Sequence, residues 1–94
     1  MFNFLKSNMP VPKNITREHV FQAIIKIDRE GVPPGRGIRT NALVYEGFEY
    51  PVKLALSWAN LFVNGEEIDN DPANFQADMA CEYLIGLGFV IRRV

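Results

Sequence analysis

Between Val52 and Val63 the chain is apolar on nearly every side. Val52, Leu54, Ala55, Leu56, Trp58, Ala59, Leu61, Phe62 and Val63 leave only Lys53, Ser57 and Asn60 polar. A surface helix carries one apolar stripe, whereas a helix apolar all round is buried. In a chain of 94 residues such a helix has to be central, because a domain of this size has one core with little margin. Pro51 opens the helix at its first position, where the missing N–H costs nothing, and Asn64-Gly65 closes it. Trp58, in the middle of this segment, reads as core rather than as an exposed base-stacking residue.

The remaining elements follow from punctuation and period. Thr16 is an acceptable N-cap, Glu18 suits the first turn, and Val20, Ile24 and Ile27 recur at helical spacing, widened by Phe21 and Ile25. Gly31 stops that helix and Pro33-Pro34 forbid its continuation. Ala42–Tyr45 and Phe48–Tyr50 flank Glu46-Gly47, a short hairpin with Gly supplying a positive φ. A third helix starts at Asp71-Pro72, as N-cap and N1, or a few residues later near Phe75. Met79, Tyr83 and Leu84 form its inward face, with Cys81 and Leu87 nearby. Gly86 and Gly88 end it, and Phe89–Val94 is a closing strand that joins the hairpin, since two strands alone are marginal. The fold class is α+β: three helices with a small antiparallel sheet, in the order helix-hairpin-helix-helix-strand. Residues 1–14, with Pro10 and Pro12, form an extended N-terminal arm, and residues 15–94 form one domain. The expected core is Val20, Ile24, Ile27, Leu54, Trp58, Leu61, Tyr83, Leu84, Phe89 and Ile91.

Charge is unevenly placed. The net is −1, but residues 1–53 hold eight Lys/Arg against five Asp/Glu, and residues 54–94 hold two against six. A basic face is therefore compatible with a chain that has no overall pull toward polyanions. A single cysteine excludes an intrachain disulfide and fits a reducing compartment. There is no secretion-signal pattern and no run of about 18 apolar residues, so the expected location is cytoplasmic, with no membrane partner.

No catalytic set is visible. His19 is the only histidine and reads as a surface residue of the first turn, and Cys81 as a small core residue. The acidic run Glu66, Glu67, Asp69, Asp71 lacks the EF-hand pattern and reads as a solvated loop that would repel DNA, so a nucleic-acid face should lie elsewhere. No metal or other cofactor is expected. Gly31–Arg39 offers more: its glycines let backbone N–H groups approach a phosphate, and Arg36 and Arg39 suit bidentate phosphate contacts. It is not a P-loop, because the Lys-Ser/Thr pair is absent. Lys53, Arg92 and Arg93 are further DNA-contact candidates.

Ile15–Val20, Ile27–Pro33, Leu43–Lys53 with its Tyr50-Pro51-Val52-Lys53, and Leu84-x-x-Leu87-Gly88-Phe89 together cover about residues 15–91. In these runs the chain resembles the N-terminal head domain of McrA-like HNH restriction endonucleases, which are modification-dependent enzymes. It departs at Val52, where relatives often have a second Pro. The resemblance implies a non-catalytic accessory module that helps a restriction-type, DNA-processing protein engage DNA or position its other domains or subunits. One histidine cannot supply an HNH site. The alternative is a protein–protein interaction or dimerisation module without direct DNA contact, suggested by net acidity and the apolar arm.

Overall fold

Helix α1 runs Arg17–Glu30 behind the Thr16 cap. The Thr16 amide donates to His19 Nδ1 at 2.9 Å, so the imidazole closes a capping box from the N3 position. One face of α1 buries Val20, Ala23, Ile24 and Ile27, and the chain leaves the helix at Gly31, whose N–H returns to the Ile27 carbonyl. This computed structural model describes residues 11–93. Most of the predicted N-terminal arm thus lies outside the described residues. Of its remainder, Val11 packs against the core, and Asn14 exchanges amide hydrogen bonds with Asn64 at 3.0 Å.

Strands β1 (Asn41–Tyr45) and β2 (Phe48–Pro51) form the expected hairpin. Its turn places Glu46 at φ 51° and Gly47 at φ 84°, the pair of positive angles that a tight right-twisted hairpin needs. After helices α2 (Val52–Asn64) and α3 (Ala77–Gly86), strand β3 (Val90–Arg93) returns beside β1. The sheet is antiparallel with order β2-β1-β3, so the domain is α+β with the expected element order.

Helix α2 is the centre. Val52, Leu54, Ala55, Leu56, Ser57, Trp58, Ala59 and Asn60 are all buried, which matches its apolar circumference. Leu43, Tyr50 and Ile91 share one sheet face, in register across the three strands, and pack with α2 and α1 into a single core. Phe21, Tyr45 and Phe89 form an aromatic cluster with centroids 5.3 to 6.3 Å apart. Arg17 lies over Phe89 at 4.5 Å and donates to the Leu87 carbonyl at 2.6 Å, tying the start of α1 to the end of α3. Gly88 sits at φ 93°, a backbone conformation that favours glycine, and a Cβ there would also displace the Arg17 guanidinium, 2.9 Å away.

Several sequence expectations are corrected. Pro51 is the N-cap of α2 rather than its first helical residue, and it also ends β2. The third helix does not begin at Asp71-Pro72 but at the later of the two expected starts, just after Phe75. The Asp71 carbonyl accepts the Asn74 and Phe75 amides, closing a turn that drives Phe75 into the core, and α3 starts only at Ala77. Its buried face is then Ala80, Cys81 and Leu84, which leaves Met79 exposed. Leu61, Tyr83 and Ile91 are half-buried rather than core, and Ile25 is 57% exposed. Large side chains outside the expected core that are fully buried include Ile15, Leu43 and Phe75.

The Tyr50 hydroxyl donates to Asp28 Oδ1 at 2.8 Å. Burial first, then this bond and the negative charges of Asp28 and Glu46, push its pKa up to about 12. A phenol in the unfolded chain titrates near 10. Tyr50 therefore contributes stability that is complete below pH 10 and is lost as pH rises toward 12, on the order of 2–3 kcal/mol. Burial raises Tyr83 as well, so Tyr50→Phe should remove only part of the alkaline decline. Urea unfolding at pH 9 and pH 11 measures this, and an unchanged decline in the variant would contradict it.

Candidate anion-binding cleft

Gly31 and the two prolines turn the chain back after α1, and the Arg36 amide donates to the Pro33 carbonyl at 3.1 Å. That turn lays residues 35–41 along the N-terminus of α2. A cleft of about 330 Å³ lies between them, lined among others by Arg36, Arg39, Thr40, Lys53, Asn70 and Pro72. Three of the five cations named from sequence thus meet at one place.

Each is held differently. Arg36 is mostly enclosed and pairs with Glu67 at 3.3 Å. The same Glu67 oxygen accepts the Ser57 hydroxyl at 3.0 Å, and that hydroxyl accepts the Ile68 amide at 3.0 Å. Ser57, a polar residue on the buried helix, is therefore the peg on which both the Arg36 loop and the 66–71 loop hang. Arg36 Nη2 is fully enclosed without a hydrogen-bond partner among the described residues. Lys53 donates to the Asn70 carbonyl at 3.1 Å, with its ammonium 5.2 Å from the centre of the Phe75 ring. Its pKa is pushed below the ordinary lysine value by burial and then by Arg36 and Arg39, while Asp69 and Asp71 pull the other way. Arg39 is exposed.

The cleft also receives the start of α2, with Pro51, Val52, Lys53 and Leu54 in its wall. The first amides of a helix have no partner within it and carry the positive end of its dipole. Here the first turn holds no acidic residue and, among the described residues, no side chain caps it.

The other two cations lie apart. Arg92 makes a two-pronged pair with Glu49, including 2.9 Å from Nη2 to Oε1, across the sheet face opposite Leu43 and Tyr50. Arg93 is exposed at the far end of β3, opposite Asn41, which lines the cleft. The four acidic residues of the run are exposed, as expected of a solvated loop, but Ile68 between them is buried, and Asn70 and Pro72 place the loop at the rim of the cleft. Glu67 is taken up by Arg36 and Ser57, and Asp69 and Asp71 by their own turn. Asp69 accepts the Asp71 amide and Asn74, which lowers its pKa, and Asp71 accepts the Ala73 amide. No carboxylate residue lines the cleft among the described residues.

Sequence reasoning missed Glu67 as the partner of Arg36, and Ser57 as its anchor. The one available signal was Ser57 itself, a hydroxyl on a helix otherwise chosen for burial. Among the described residues no three His, Cys, Asp or Glu side chains gather as a metal site, and no helix is long and apolar enough to cross a membrane. No protein-family model, curated protein or solved structure matches the chain.

Proposed function

We propose that this domain is a non-catalytic accessory module that engages DNA through phosphate contacts in the cleft formed by Arg36, Arg39 and Lys53. The observation that carries this reading is the convergence of three cations on the uncapped start of α2. Such a site suits phosphate oxygens, which take hydrogen bonds from guanidinium groups and from helix N-terminal amides alike. Phosphate contacts position a protein on DNA without reading sequence. The restriction-type setting comes from the resemblance alone, and in that setting the module serves to hold a larger protein on its substrate.

Fluorescence anisotropy with short duplex and single-stranded DNA between about 20 and 200 mM salt tests the reading. Affinity should fall with salt on a log–log slope of about −1 to −3, for one to three neutralised phosphates. Arg39→Gln and Lys53→Met should each weaken binding about tenfold, the size of one charge-assisted contact. Arg39 is exposed, so its replacement leaves the fold intact. Binding that ignores both substitutions overturns the role of the cleft. No binding at the lowest salt overturns the DNA reading and favours a protein partner. The feature that favours that alternative is the apolar Phe48, 66% exposed on the outer strand β2.

A further inference from the structure

We infer that the cleft takes a terminal phosphate, a phosphomonoester dianion, in preference to the internal phosphodiesters of a DNA backbone. This inference rests on the reading just given and narrows its ligand.

The cations are arranged for one compact charge. A groove that tracks a strand spaces its cations along a path, but here Arg36, Arg39 and Lys53 line a single cleft of about 330 Å³. They are close enough together that both arginines depress the lysine. The volume is that of a small-ligand pocket and not of a strand-length channel. An internal phosphodiester brings one negative charge, whereas a monoester brings about −1.5 to −2 at neutral pH and an additional free oxygen. Arg39 and Lys53, the Arg36 guanidinium shared with Glu67, and the positive end of α2 over one cleft match the second better.

The surroundings turn a continuing strand away. Glu66, Glu67, Asp69 and Asp71 sit in the loop that rims one side, and Glu49 neutralises Arg92 on the sheet. A backbone running past the cleft meets carboxylates where it needs cations, while a chain that ends in the cleft does not. Ile38, Val52, Leu54 and Pro72 supply apolar wall for the sugar carrying the phosphate. Among the described residues no aromatic side chain lines the cleft for base stacking, and Phe75 is buried beneath Lys53. Recognition would therefore stop at the phosphate and its sugar and be indifferent to the base.

The test compares one short oligonucleotide, labelled at its 3′ end, carrying either a 5′-phosphate or a 5′-hydroxyl. Titrations use the full chain, with inorganic phosphate and a nucleoside 5′-monophosphate as competitors. The expected result is at least tenfold tighter binding of the phosphorylated strand, with the preference lost in Arg39→Gln and in Lys53→Met. Equal binding of both strands that still depends on Arg39 overturns the terminal-phosphate inference and leaves the DNA-backbone reading standing. If neither strand binds but inorganic phosphate or the mononucleotide shifts the amide resonances of Val52 to Leu54, the monoester class is supported and the source is a small phosphate ester, which overturns the DNA reading. If none of these phosphates perturbs those amides, the inference is overturned outright.

Discussion

Phe75→Ala should lower the unfolding free energy by about 3–5 kcal/mol, the range for deleting a buried phenylalanine. For a domain whose whole stability is on the order of 5–15 kcal/mol, that is about a fifth of the total or more. Phe75 belongs to neither helix nor strand, yet it is completely buried. It is drawn inward by the turn in which Asp71 accepts the amides of Asn74 and Phe75. Its ring supports the Lys53 ammonium from below and anchors the loop between α2 and α3. Its loss should therefore act on two quantities together: the urea midpoint, and the affinity of the cleft for phosphate. Circular dichroism through a urea titration measures the first, and a loss below about 1 kcal/mol would show that the loop repacks without it.

Trp58→Ala should be comparably severe, also about 3–5 kcal/mol, with a fall in midpoint temperature of roughly 15–30 °C. Trp58 stands in the middle of the central helix at 5% exposure, and the Lys26 ammonium of α1 lies 4.7 Å over its ring. The substitution removes the largest side chain at the contact of α1 with α2 and a cation–π interaction with it. Because Trp58 is the only tryptophan, unfolding of the variant has to be followed by circular dichroism. The two substitutions should differ at the cleft. Trp58→Ala is read at the α1–α2 contact, whereas Phe75→Ala is read under Lys53. A Trp58→Ala variant as stable as the parent would mean that α2 is not the structural centre of the domain.

The fold was largely legible because its signals are local. Thr16 and Gly31 bound α1, Glu46-Gly47 sets the hairpin, and the apolar circumference of α2 announces its burial. What misled is equally specific. Asp71-Pro72 has the residue types of a helix start, but the Asp71 side chain serves a turn with Ala73 instead. That delay carried Met79 to the surface and gave the inward face to Ala80 and Cys81. Such a choice between turn and helix is decided by where Phe75 can be buried, which is a tertiary matter.

For the cleft, the sequence supplied the components but not their meeting. Arg36 and Arg39 stood out in a Gly/Pro loop, and Lys53 at a helix start, yet nothing local shows that they share a wall. Their meeting depends on Glu67, 31 positions from Arg36, and on Ser57 holding Glu67 in place. Arg92 looked as available as Arg36 until Glu49 was found opposite it, 43 positions away. Ion pairs of that separation are written in topology and not in spacing.

The strand order β2-β1-β3 also dictates how the molecule comes together in time. β1 occupies the middle of the sheet, but one of its neighbours arrives only after two intervening helices. The hairpin can close early, at small entropic cost, but as a two-stranded ribbon it has little stability of its own. Its second edge is satisfied only when α2 and α3 have packed and delivered β3. Folding therefore joins local hairpin formation to a long-range closure, the kind of non-local pairing that slows folding. The cleft, built from the loop before β1, the first turn of α2 and the turn before α3, likewise joins segments far apart in the chain and exists only once they have packed.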